Sequence, residues 1–144
     1  LADPELRSEA TGGLASRVSV HHAVREALYD RQRAFATQPG GAVLDGRDIG
    51  TVIAPEAEAK LFVTASVEAR AERRYLEMLN SGRSAEITAI AADLAARDER
   101  DCNRREAPLR PADDAVLLDT SHLTPGDAIA TALSLIGARI RPRR

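Results

Sequence analysis

The sequence predicts an α/β protein with a parallel sheet flanked by helices. Three short apolar runs, at residues 42–45, 59–65 and 115–119, lack the polar alternation of a strand with one wet face, which suits strands covered on both sides. Between them lie stretches with apolar residues at three- and four-residue spacing, so strand and helix alternate along the chain. In such sheets ligands sit beyond the carboxyl ends of the strands, and two of the runs end in aspartate, at Asp45 and Asp119.

Taken in order, residues 1–13 are polar and interrupted by Thr11-Gly12-Gly13, and read as a loop or frayed remnant. From Val18 the positions Val20, Val24, Ala27, Leu28 and Phe35 make one apolar helical face, ending before Gln38-Pro39-Gly40-Gly41, with Arg25 off the centre of the stripe. The run 42–45 comes after that turn as a buried strand and delivers Asp45-Gly46-Arg47-Asp48. The run 59–65, with β-branched and aromatic residues, is the second strand. Ser66 caps a helix in which Val67, Ala71, Tyr75, Met78 and Leu79 share a face and Gly82 closes the end. Ser84 caps the next, with Ile87, Ile90, Ala91 and Leu94 on one stripe. After the strand at 115–119, Thr124 and Pro125 open a last helix carrying Ile129, Ala132, Leu133 and Ile136. The basic tail from Arg139 to Arg144 reads as solvated and frayed.

The 144 residues, 44% hydrophobic and 29% charged, fit one globular domain that needs no metal or disulfide staple. Cys102 is alone, which excludes an internal disulfide and suits a reducing compartment. No apolar stretch is long enough to span a membrane and the first residues do not resemble a signal peptide, so a cytoplasmic protein with no membrane partner is expected. A net charge of -2 and 3% aromatic residues give neither the field nor the stacking platform of a nucleic-acid binder. Of the 20 Lys+Arg residues only Lys60 is lysine. That excess fits bidentate grips on phosphate, or equally a biased genome, and only position decides between them.

Two constellations carry possible chemistry. Asp45-Gly46-Arg47-Asp48 contains a common turn dipeptide, Asp-Gly, but its flanks do not alternate as hairpin strands would. At a buried strand end, Asp45 would face a hydrated magnesium ion, Arg47 a phosphate, and Asp48 a base amino group. Further on, the apolar stripe of Ile90 and Leu94 continues into Arg97, Asp101 and Arg104 without changing face. This is either a structural ion-pair ladder or the wall of a cleft that holds an anion. Arg70, Arg73 and Arg74 have Glu68, Glu72 and Glu77 as ordinary helical partners. His21, His22 and His122 lack metal-ligand spacing, and no nucleophilic triad is arguable.

Asp45-Gly-Arg-Asp-Ile-Gly-Thr-Val52, residues 64–75 with their arginines, Arg97-Asp-Glu-Arg-Asp-Cys-Asn-Arg104, Ala107-Pro-Leu109 and Asp119-Thr-Ser121 together resemble the bacterial cytidylate kinases, in order and in rough spacing. The resemblance covers nearly the whole chain. It implies a P-loop NTPase of the nucleoside monophosphate kinase type, a transferase of pyrimidine metabolism that moves a phosphoryl group from ATP to CMP or dCMP with Mg²⁺, monomeric at full length. By it, Ser16, Arg25 and Asp48 read cytosine, Arg47 and Arg104 hold the acceptor phosphate, and Arg97 and Asp101 contact the sugar. Asp45, Arg47 and Arg104 form the expected catalytic group. Arg70, Arg73 and Arg74 lie near a lid over ATP, and no protein metal ligand is assigned. The implied layout is a single domain: 1–20 the remainder of an NMP-binding region, 21–74 core, 75–105 the lid and following helix, 106–144 core.

One departure is plain. Neither Gly12-Gly13 nor Gly40-Gly41 is followed by Lys-Ser or Lys-Thr, and Lys60 precedes a strand, so the donor-phosphate loop of the family is not found in these residues. The chain is therefore expected to be the C-terminal portion of such a kinase, as a cleavage product or as part of a longer enzyme, and inactive by itself. The missing strand would sit centrally in the sheet, between those ending at Asp45 and Ala65. The alternatives are a non-catalytic nucleotide-binding module and a kinase for another base.

Overall fold

A computed structural model describes residues 9–140. The expected loop over residues 1–8 and the tail from 141 lie outside the described residues. Contacts divide the chain into two compact units. One takes in the described residues up to Pro55 together with Arg97–Arg110, the other Glu56–Ala96 with the described residues from Pro111.

The first unit opens with helix α1, Glu9–Val18. This corrects the loop expected through Thr11-Gly12-Gly13. Gly12 sits inside the helix with the end of the Arg97 side chain against it: a Cβ there would be 2.8 Å from Arg97 Nη1. The helix expected from Val18 is broken at Ser19-Val20-His21 and resumes as α2, His22–Ala36. Its apolar stripe is not a core stripe among the described residues: Val20, Leu28 and Phe35 are 44%, 47% and 50% exposed.

Gly40 and Gly41, at φ 94° and 87°, make the turn that only glycine takes easily. Residues 42–45 then form no strand, which is a second correction: Val43 is 94% exposed and Asp45 is exposed. Strand geometry needs a neighbour to take up its N–H and C=O groups, and no described strand lies alongside. The chain next makes a π-helical turn, Ile49–Ile53, in which Asp48 O accepts from Val52 N at 2.8 Å and Ile49 O from Ala54 N at 2.7 Å. Ile53 and Ala54 are buried, and Arg33 Nη1 donates to Ile53 O at 2.7 Å, fastening the turn to α2.

The second unit holds the parallel pair β1, Leu61–Thr64, and β2, Val116–Asp119, in register from Leu61 opposite Val116 to Thr64 opposite Asp119. The α/β class and its parallel strands are as expected. Burial on both faces is not: Leu118 is buried, but Val63 and Leu117 are 60% and 63% exposed, so neither described strand is covered on both sides. Helix α3, Val67–Asn80, is capped as expected, Ser66 Oγ accepting from Ala69 N at 3.1 Å. It buries Ala71 and closes at Gly82, φ 73°. Helix α4, Ile87–Asn103, starts later than a Ser84 cap would allow; its first bond runs from Ile90 N to Glu86 O at 3.1 Å. Residues of α4 to Ala96 belong to the second unit and those from Arg97 to the first. Helix α5, Pro125–Arg139, opens as expected, Thr124 Oγ1 accepting from Asp127 N at 3.2 Å. Among the described residues no helix is long and apolar enough to cross a membrane.

Candidate functional site

A cavity of about 700 Å³ lies in the first unit, walled by α1, α2, the segment from Gly46 to Ile53, and the end of α4 with its following loop. The ionic continuation of the α4 stripe faces into it. Asp101, 1% exposed, is the anchor. Its Oδ1 accepts from Ser16 Oγ at 2.8 Å, while Arg47 Nε lies against Oδ2 and Arg97 Nε stands 3.9 Å away, one turn back on the same helix. Arg100 Nη1 donates to Ser16 Oγ at 3.1 Å, so this hydroxyl both gives and receives. A carboxylate so buried is tolerable only with such cations and donors around it. The ion-pair ladder is thus present, and its residues line the cavity.

Arg25 of α2 forms a second ion pair with Asp48, both side chains largely buried at 18% and 13% exposure. Arg104 extends its guanidinium across the loop after α4. Its Nε donates to Ala107 O at 2.5 Å and Nη1 to Ser19 Oγ at 3.2 Å, and Nη2 is buried with no hydrogen-bond partner among the described residues. Burial lowers the Arg97 and Arg104 pKa values, and the neighbouring Arg47 and Arg25 respectively push in the same direction. Both remain cations at neutral pH, because arginine starts so high. Nearby carboxylates, Asp101 and Asp98 for Arg97 and Asp48 and Asp101 for Arg104, offset part of this burial cost.

The seven residues expected at the acceptor, Ser16, Arg25, Arg47, Asp48, Arg97, Asp101 and Arg104, all line this cavity. Asp45 does not; it is exposed, because the segment before it is not a buried strand. Arg70, Arg73 and Arg74 stand on α3 in the second unit and bond there: Arg70 Nε to Ala65 O at 3.1 Å, Arg73 Nη1 to Thr120 Oγ1 at 3.3 Å, and Arg74 Nη1 to Glu77 Oε2 at 2.7 Å.

Sequence reasoning missed Ser19, Arg100, Gln32, His22 and Glu106. Gln32, His22 and Glu106 line the cavity; Ser19 lines it and holds Arg104, and Arg100 holds Ser16. Arg100 lies three residues from Arg97 and one from Asp101, so helical spacing gave a signal for it. His22 and Glu106 are 84 residues apart, and nothing local pairs them.

Residues 2–138 match the family model described as cytidylate kinase. Similar proteins include the cytidylate kinase of Xanthobacter autotrophicus, 57% identical over 138 residues, which cover 95% of this chain and 66% of that protein. That of a Caulobacter species is 53% identical over 136 residues, 94% of this chain and 63% of that one. That of Rhodopseudomonas palustris is 52% identical over 142 residues, 99% and 67%. The chain spans about two thirds of the length of these curated relatives. The chain therefore belongs to the cytidylate kinase family, nucleoside monophosphate kinases of P-loop NTPase fold.

Proposed function

We propose that the cavity is the acceptor site for CMP or dCMP in phosphoryl transfer from ATP. The observation that carries this is the convergence of all seven expected acceptor residues, from four separate segments, on one cavity. Cytosine presents an amino donor beside two acceptors, N3 and O2. The Arg25–Asp48 pair offers the complement, a carboxylate beside a guanidinium fork, and uracil would instead turn a carbonyl oxygen toward Asp48. Arg47 and Arg104 take the phosphate, Arg104 through its buried Nη2. Asp101 and Arg97 take sugar hydroxyls. Holding the acceptor oxygen in line and balancing its charge is the larger part of this catalysis.

Mg²⁺ is not matched by this chain's own side chains. Among the described residues no three His, Cys, Asp or Glu groups converge as a metal site, and Asp45 lies outside the cavity lining. No step is routed through the ion. The 144 residues contain no glycine-rich loop ending in Lys-Ser or Lys-Thr. Taken by themselves they are read as binding the acceptor without turnover, with Arg70, Arg73 and Arg74 on the ATP side. The same reading places the protein in the cytoplasm, in pyrimidine nucleotide metabolism, as a monomer.

Calorimetric titration with CMP, UMP and AMP tests it. CMP binds tightest, and Asp48→Asn narrows the preference for CMP over UMP by about tenfold, the worth of one good base contact. Equal affinity for the three nucleotides refutes cytosine recognition and favours a kinase for another base. Formation of CDP by the 144-residue chain refutes binding without turnover.

A further inference from the structure

Three groups at the cavity take no part in the acceptor contacts above. His22 opens α2, Glu26 stands one turn on, and Glu106 lies on the loop after α4, and all three line the cavity. His22 Nδ1 is 2.8 Å from Glu106 Oε2, and Nε2 is 3.1 Å from Glu26 Oε1. A carboxylate only accepts, so both contacts are hydrogen bonds together only when both ring nitrogens carry protons. The neutral ring would satisfy one carboxylate and turn a lone pair toward the other.

The loop that Glu106 belongs to is wrapped around Arg104. Ala107 holds φ 45°, a left-handed backbone that a residue with a Cβ adopts only when its surroundings require it. Its carbonyl accepts the Arg104 Nε–H at 2.5 Å, and Leu109 N donates to Asp101 O at 2.8 Å. The path of residues 104–109 therefore sets where Arg104 Nη2 points. From α2, His22 bonds to Glu106 on this loop.

We infer that His22 and Glu106 are positioning residues for Arg104, the imidazolium clasp holding the 104–107 turn, and with it the phosphate-facing guanidinium, in the form that takes the acceptor. This rests on the acceptor reading above. The charges facing His22 are Glu106 on the loop and Glu26 on its own helix; the hydrogen bond to Glu106 is the larger cause of its raised pKa. A folded pKa above the ordinary histidine value means that the clasp is complete below that value and is lost as pH rises through the raised one. Protonated His22 also stands at a helix N-terminus, where a cation is disfavoured, so the two carboxylates are needed to keep it charged.

The test is CMP affinity by calorimetry at about pH 5.5 and about pH 8.5, on either side of the imidazole titration, for the wild-type chain, His22→Gln, Glu106→Gln and His22→Lys. The phosphate of CMP itself titrates in this window, so the quantity read is the ratio of wild-type to variant affinity at each pH, from which that effect cancels. Wild type binds roughly two- to fivefold tighter than His22→Gln or Glu106→Gln at low pH, the range of a solvent-accessible ion pair, and about equally at high pH. His22→Lys keeps the tighter affinity at both, since its charge persists. Ratios of about one at both pH values overturn the inference while leaving the acceptor reading in place. Absence of any CMP binding by the wild-type chain overturns the acceptor reading and the inference with it.

Discussion

Asp101→Asn removes one negative charge and little else, and the structure fixes what that change costs. Asp101 is 1% exposed and is the common counter-charge of Arg47 and Arg97, whose side chains are 36% and 30% exposed. Removing one partner of a fully buried pair costs about 3–5 kcal/mol, because the other charge is left uncompensated. Here the stranded guanidiniums keep some water, which screens part of the loss and brings it to about 2 kcal/mol. Asparagine still accepts the Ser16 hydroxyl, so that bond is retained. For a chain of this size each kcal/mol moves Tm by about 2–4 °C, so a fall of about 4–8 °C is expected. Urea or thermal unfolding reads the total. Hydrogen exchange reads its location: α1 amides, near Ser16 and Gly12, lose protection, and those of β1 and β2 keep theirs. A variant within about 0.5 kcal/mol of wild type, the scale of an ordinary surface change, would refute the view of Asp101 as the electrostatic anchor.

Two further predictions concern the phosphate and the acid limb of stability. Arg104→Ala weakens CMP binding by about 10- to 100-fold, the worth of one or two charge-assisted hydrogen bonds, and leaves cytidine binding nearly unchanged, because the nucleoside has no phosphate; parallel titrations with the two ligands check this. In the second unit the Lys60 ammonium bonds Asp114 at 2.5 Å and holds its carboxyl below the usual range. A depressed folded pKa stabilises above the unfolded value and ceases to do so as pH falls through the folded one. The Tm of Asp114→Asn therefore lies below wild type at neutral pH, and the gap closes from about pH 4 downward in a series of thermal melts.

The parts of the fold legible in the sequence were those set by local chemistry. Ser66, Thr124 with Pro125, and Gly82 mark helix ends through bonds within a few residues, and each stands where its chemistry put it. The cavity was legible for a related reason. The α4 stripe passes from Ile90 through Arg97 and Asp101 to Arg104 at helical spacing, so its direction could be read without knowing what it faced. What failed depended on distant partners. Residues 42–45 have the apolar content of a strand, but pairing decides whether they form one, and Val43 is almost wholly exposed. Gly12-Gly13 looked like a break because nothing nearby shows that Arg97 will lie against Gly12. The His22–Glu106 contact spans 84 residues and has no local signature.

The arginine excess, ambiguous as composition, acquires a physical reason inside the cavity. Arg104 spends Nε on Ala107 O and Nη1 on Ser19, and still has Nη2 buried with no partner among the described residues. Its planar fork lets one side chain be held by the protein and face a ligand in fixed geometry at once. A lysine ammonium has its donors on a single atom at the end of a flexible stem, so it would trade one duty against the other. The charges follow the same logic. Arg25, Arg47, Arg97 and Arg104 face only two well-buried carboxylates, Asp48 and Asp101, and the pKa values of Arg97 and Arg104 are lowered by burial and by their cationic neighbours. The lining as a whole carries these four arginines, His22 and four carboxylates, since Glu26 and Glu106 also line the cavity and contact His22. Asp48 holds Arg25, and Asp101 holds Arg47 and Arg97, in place. At these positions, then, each arginine has a specific partner at the cavity, whatever sets its frequency elsewhere on the surface.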